Sequence, residues 1–129
     1  MMLSITPLYA GLLALVFAVL SALVVIQRVA LDKAPDGADE TDLNKSMRVQ
    51  ANFVEYVPIT LFLMLCAELQ GAPAVAVHAM GIALLAARLA HAIGMSRTPQ
   101  VIALRAGGFL LTVLTLVLSA LAVIGHALF

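Results

Sequence analysis

An all-α integral membrane fold, a bundle of four transmembrane helices in one domain spanning residues 1–129, follows from three observations. Hydrophobic side chains make up 64% of the 129 residues and charged ones only 11%, against roughly 45–50% apolar content in ordinary soluble domains. The apolar residues fall into long runs, each near the ~20 residues that a helix needs to cross a bilayer core. The interruptions between the runs collect charge, glycine and proline in short connections. A chain of this length holds four or five crossings and leaves no room for a separate soluble enzymatic domain.

Helix 1 is expected over residues 7–27, because no charge occurs between Leu8 and Ile26. Its N-terminal flank lacks the Lys and Arg of a cleavable signal, so it reads as a retained helix. Between Arg28 and Ser46 the residues Asp32, Lys33, Pro35, Asp36, Gly37, Asp39, Glu40, Asp42 and Lys45 crowd into an aqueous loop. There Asp39 or Thr41 offers an oxygen to cap a short lead-in to the next helix. Helix 2 is expected over 47–68, with polar residues near its start. Gln70-Gly71-Ala72-Pro73 permits only a tight connection, since glycine ends one helix and proline opens another. Helix 3 therefore returns antiparallel over 74–95. Ser96-Arg97-Thr98-Pro99-Gln100 makes the next turn, and helix 4 fills 101–128.

Lys and Arg gather in cytoplasmic loops. Arg28, Lys33, Lys45 and Arg48 flank the first loop, and Arg97 and Arg105 the third, whereas the chain ends and the second loop carry none. The first and third loops are thus expected on the cytoplasmic side and both termini outside. Seven basic and seven acidic side chains cancel, with no basic patch or stacking platform, which leaves no electrostatic case for nucleic acid. Cys66, the single cysteine, reads as a small buried hydrophobe. No His, Cys, Asp and Glu grouping has metal-ligand spacing, and no nucleophile elbow or phosphate loop is present. Glu68 is expected at the outer surface in contact with water, and His78 and His126 at the outer interface.

The chemistry concentrates at the head of helix 2. At about 100° per residue, Arg48, Asn52, Glu55 and Tyr56 fall within a sector of roughly 100°. At 1.5 Å rise per residue Glu55 sits about 10 Å deeper than Arg48, where a carboxylate must be paired or face water. On helix 3, Arg88 and His91 are three apart and face one way, at a matching depth. Two readings stand on spacing alone: a polar pocket open to the cytoplasm, or Glu55 and Arg88 neutralising each other with Asn52 as interhelical glue.

The run Arg48-Val49-Gln50-Ala51-Asn52-Phe53-Val54-Glu55-Tyr56-Val57-Pro58 resembles the helix 2 signature R-x-x-x-N-x-x-E-Y-x-P of the MAPEG family, the membrane-associated proteins in eicosanoid and glutathione metabolism. Arg88-Leu89-Ala90-His91 resembles the family's R-x-x-[HY] segment. Helix count, loop lengths and the charged first loop agree over nearly the whole chain. The resemblance implies a homotrimer in the bilayer that encloses glutathione, as co-substrate, between neighbouring subunits near the cytoplasmic side. Arg48, Asn52, Glu55 and Tyr56 would contact the tripeptide, with Gln50, Arg88, His91 and Arg28 close by. Arg48 and Arg28 would hold its carboxylates and Glu55 its ammonium. Its thiol, with a free-cysteine pKa of about 8.5, must become a thiolate to attack. Arg105 is the candidate cation beside the sulfur and Arg97 the reserve. The sequence departs from catalytic relatives at Met95, where several carry a tyrosine; a thioether cannot donate a hydrogen bond.

Three functions compete. The first is a glutathione transferase or peroxidase acting on lipophilic electrophiles or hydroperoxides. The second, motivated by Met95, is a non-catalytic lipid-binding or scaffold protein. The third is a small four-helix exporter, which relies on a helix 1 carboxylate that this chain lacks.

Overall fold

A computed structural model describes residues 4–129 and consists of four helices: α1 Ile5–Asp32, α2 Thr41–Leu69, α3 Ala74–Ser96 and α4 Ile102–Leu128. At 1.5 Å per residue each is roughly 35–45 Å long, beyond the ~30 Å hydrocarbon core of a bilayer. All four are apolar enough to cross it, so the four-helix membrane bundle expected from the sequence is the fold found.

Two boundaries differ from expectation. Helix α1 continues to Asp32, which makes Arg28 a helical residue rather than a loop residue. It stops before Pro35 and Gly37, the latter with φ of 82°. Helix α2 begins at Thr41 and runs through Met47 without a break, because nothing between them is glycine or proline. Asp39 Oδ1 accepts the Thr41 backbone N–H at 2.9 Å and the Thr41 hydroxyl, taking up a donor that the first helical turn leaves free. The Thr41 hydroxyl, followed by its amide, holds the Asp39 carboxyl below the usual carboxylate range.

The α2–α3 connection is a Schellman turn. Ala72 N–H reaches Ala67 O at 3.0 Å and Gly71 N–H reaches Glu68 O at 3.1 Å, while Gly71 takes a φ of 86° that a side chain would resist. The antiparallel α2–α3 hairpin is the middle of the molecule. Helix α1 packs on one side of it and α4 on the other, and among the described residues α1 and α4 do not touch.

Apolar surface faces outward, as a bilayer requires. Leu15, Val19, Ile82, Leu110 and Leu121 are exposed, whereas Thr60, Arg88, His91, Thr112 and Ser119 are buried. Thr60, Thr112 and Thr115 each donate to the carbonyl four residues back on their own helix, at 2.7, 2.8 and 2.8 Å, so their hydroxyl protons are satisfied without water. Helices α3 and α4 approach at backbone contact. A methyl on Gly108 would lie 2.5 Å from Ala87 O and 2.6 Å from His91 N, and one on Gly94 would lie 2.5 Å from Arg105 N.

Glu68 is not in contact with water. It is buried, and its Oε1 accepts the N–H groups of Ser4 and Ile5 at 3.0 Å each while Oε2 accepts that of Thr6 at 2.7 Å. The last turn of α2 lies beside the first turn of α1, whose free amides and positive dipole end attract a carboxylate. Ser4 makes no side-chain cap of its own; Glu68 supplies it from another helix. At the same end the Tyr9 hydroxyl meets His78 Nδ1 at 3.0 Å, and the Tyr9 ring occupies the space beside Gly81. His126 is exposed in the last turn of α4, and Cys66 is half-buried and free.

Candidate functional site

Helix α2 has α3 behind it, α1 on one flank and α4 on the other, and this arrangement divides the polar residues near its start. Val49, Phe53, Val57, Thr60 and Met64 form the buried stripe. Measured from the centre of that stripe at about 100° per residue, Gln50 lies about 60° to the α1 side, Tyr56 and Asn52 about 60° and 100° to the α4 side, and Arg48 and Glu55 about 140° and 160° away, nearly opposite it. The polar residues expected on a single face thus divide between two spaces, Arg48 and Asn52 in one and Gln50 and Glu55 in the other.

The first site is a cavity of about 470 Å³ between α2, α3 and α4, lined by Arg48, Asn52, His91, Met95, Ile102, Arg105, Ala106 and Phe109. Its size is in the range of small-molecule sites, roughly 300–1,000 Å³. Tyr56 does not line the cavity but stands edge-on against Phe109, which does, with ring centroids 5.4 Å apart. Arg105, one helical turn into α4, is exposed and donates from Nη1 to Gln100 Oε1 at 2.7 Å. Met95 is buried in the cavity wall, an apolar side chain where a hydroxyl is absent.

Arg88 anchors this cavity from behind. It is 1% exposed. Its Nη2 donates to Asn52 Oδ1 at 2.6 Å and lies 3.1 Å from His91 Nδ1, and its Nη1 donates to Thr112 Oγ1 at 3.2 Å. One guanidinium thus ties α2, α3 and α4 together. Its partners are neutral, and Glu55 is not among them. The Glu55–Arg88 neutralisation that spacing left open does not occur: among the described residues the one ion pair is Asp42–Lys45, at 3.9 Å near the start of α2.

The second site lies on the α1 flank. Arg28, Gln50 and Glu55, with Phe17, Met47 and Val54, line an open cleft of about 550 Å³. Gln50 Nε2 donates to Ser21 Oγ at 2.9 Å, which fixes it toward α1. The cleft adjoins an almost wholly apolar groove of about 350 Å³ in which Phe17 and Val54 recur beside Phe53 and Pro58. Within one chain, then, Arg28 and Gln50 face a different space from Arg48, Asn52, His91 and Arg105. Arg97 is exposed and lines none of these spaces.

Thr112 and Phe109 take part in the site without having been anticipated. Their signal was the spacing of Gly108 and Thr112, four apart, which puts a close helix contact and a hydroxyl on one face of an otherwise apolar helix.

Comparison with known proteins supplies the family. The sequence profile described as the MAPEG family matches residues 6–125. Two curated relatives, each called inner membrane protein YecN, from Escherichia coli K12 and from Escherichia coli O6:H1, are 40% identical over 90 residues, which is 70% of this chain and 69% of theirs. No solved structure matches.

Proposed function

This chain belongs to the MAPEG family, and from that membership and the two half-sites we propose that it binds glutathione between neighbouring copies of itself. We propose further that it uses the bound thiol as a transferase or peroxidase on lipophilic substrates. Four membrane-crossing helices and an inner-membrane relative make it a multi-pass inner-membrane protein. The positive charge of its first and third loops favours placing them in the cytoplasm.

The observation that carries the reading is the exposure of Glu55. This carboxylate stands on the outer face of α2 with no ion-pair partner among the described residues, at a depth where lipid contact costs several kcal/mol. Covering it with the α4 side of a second copy would set Arg28, Gln50 and Glu55 against the cavity holding Arg48, Asn52 and Arg105. Such a contact joins unlike surfaces, which form a ring where the rotation between copies closes, and three copies make the ring that the family resemblance implies.

Glutathione suits the joined site. Arg48 and Arg28 provide charge-assisted bonds for its two carboxylates, and Glu55 for its ammonium. Arg105, at the cavity mouth, favours the thiolate over the thiol. In conjugation the sulfur lone pair forms the S–C bond while the leaving group departs with its electrons and the thiol proton passes to water. In the peroxidase reaction two glutathiones become the disulfide as the hydroperoxide becomes an alcohol and water. The apolar groove beside Glu55 and the lipid around it give an apolar co-substrate its approach.

Calorimetric titration of the detergent-purified protein with glutathione tests the binding. Saturable heat that Arg48→Ala abolishes is expected; absence of heat removes the proposal. The second reading, a lipid-binding scaffold, draws on Met95 in the cavity wall. Turnover of a chromogenic electrophile that disappears with Arg105→Ala excludes it, whereas binding without turnover favours it.

A further inference from the structure

The Arg88 network has an internal direction that sets what the cavity can hold. An arginine side chain donates and never accepts. Asn52 must therefore turn its carbonyl oxygen toward Arg88, as the 2.6 Å contact has it, and its NH2 group is left for the cavity. By the same rule His91 Nδ1, 3.1 Å from Nη2, must be the bare nitrogen that accepts. The ring of a neutral histidine then carries its proton on Nε2, and Nε2 has no protein partner among the described residues. The chain of donors is closed at its far end too. The Thr112 hydroxyl gives its proton to Gly108 O at 2.8 Å, leaving its oxygen to accept from Arg88 Nη1.

The result is a cavity walled by donors. Arg48 and Arg105 contribute cations, Asn52 an amide NH2 and His91 a ring N–H, while no carboxylate lines it. Behind them Arg88 is a buried charge whose hydrogen-bond partners are neutral. Such a site pays for any bound acceptor-poor or cationic group and favours an anion.

We propose that Arg88 is a positioning residue that fixes the polarity of this cavity, turning Asn52 and His91 into donors so that the cavity selects an anionic group. Helices α3 and α4 meet at backbone contact at Gly94 and Gly108, against Arg105 and His91 respectively, so these two side chains share one rigid wall. The anion they face together is, on the glutathione reading, the sulfur. The selection of an anion rests on the geometry; only the identity of that anion rests on the glutathione reading.

The test uses the full chain in detergent micelles and has two arms. In the first, long-range 1H–15N spectra of histidine-labelled protein, with the His91 signal assigned by its loss in His91→Gln, report which ring nitrogen is protonated. The Nε2–H form is expected without ligand, and a mixture of both forms in Arg88→Met. Because removing a buried guanidinium can unfold the bundle, Arg88→Lys is measured beside it: an ammonium keeps the charge but cannot fork to three partners, so a partial loss of the Nε2–H form is expected. A wild-type ring protonated on Nδ1, or a ring indifferent to both substitutions, overturns the proposal.

In the second arm, affinities are compared for glutathione sulfonate and S-methylglutathione, which differ in whether the sulfur group is charged. The wild type is expected to prefer the sulfonate by roughly tenfold or more, the scale of a hydrogen bond to a charged group, and Arg88→Lys to narrow that margin. Equal affinities, or a preference unchanged by Arg88→Lys, overturn the role given to Arg88. If neither tripeptide binds, the glutathione reading falls, and the first arm alone decides whether Arg88 orients the wall.

Discussion

Gly108→Ala reaches the site through a single methyl group. That methyl would lie 2.5 Å from Ala87 O and 2.6 Å from His91 N, about 1 Å inside ordinary van der Waals separation. Both obstacles are α3 backbone, which cannot swing away as a side-chain tip can, so α4 must shift outward by roughly that 1 Å. Overpacking of this kind costs about 1–3 kcal/mol. The same shift stretches the Arg88–Thr112 bond from 3.2 Å past hydrogen-bonding range, and a lost bond to a buried charge adds about 1.5–3 kcal/mol. Gly107→Ala is the control: its methyl meets nothing within 4 Å, and both substitutions gain the same helix propensity, about 1 kcal/mol. Reversible unfolding in mixed micelles should therefore separate the two variants by roughly 2.5–6 kcal/mol, with weaker glutathione binding in Gly108→Ala alone. Agreement of the two within about 0.5 kcal/mol, the scatter typical of neutral surface changes, refutes the backbone contact between α3 and α4.

Other perturbations address single residues. Glu68→Gln keeps an oxygen for Ser4 and Ile5 but turns an NH2 toward the Thr6 amide, and a loss of about 1–3 kcal/mol is expected by the same unfolding assay; Glu68→Gln as stable as wild type would mean that the carboxylate does not cap α1. Arg105→Ala should lower conjugation turnover at least about tenfold if it holds the thiolate, whereas Arg97→Ala, exposed and away from both cavities, should leave it within about twofold, the range of neutral surface changes; the reverse order would transfer the role to Arg97. Chains carrying Arg28→Ala and chains carrying Arg48→Ala should each fail to bind glutathione. Co-expressed, they should recover about a quarter of the wild-type sites, because random mixing places an intact Arg28 opposite an intact Arg48 in that fraction of head-to-tail contacts. No recovery would mean that both arginines serve one chain's own site.

Much of this was legible in the sequence, and the exceptions have physical causes. Apolar runs of bilayer length located all four helices. The polar residues Thr41 to Ser46 concealed the true start of α2, because hydropathy reports the bilayer and not the helix; a helix can project beyond the membrane without changing its backbone. Arg88, His91 and Asn52 came together as depth and spacing required. Glu55 was grouped with Arg48 because the two lie only about 20° apart on the helix wheel, yet they line different spaces; the wheel does not tell which neighbouring helix bounds the space beside each. Glu68 was misjudged because its partners are the amides of Ser4, Ile5 and Thr6, more than sixty positions away in the chain. Local spacing carries no trace of a carboxylate that caps another helix.

Under the proposed function, the separation of α1 from α4 by the whole width of the hairpin would tie occupancy to assembly by mass action. A site whose halves sit on opposite rims of each chain exists only in the joined state, so a ligand that bridges the halves stabilises the joined state by the free energy of its own binding. Diluting the protein in detergent should then weaken apparent affinity, and saturating ligand should slow the exchange of subunits between rings. Confinement to the bilayer, which keeps the copies concentrated, would then be part of what sets the affinity of the proposed site.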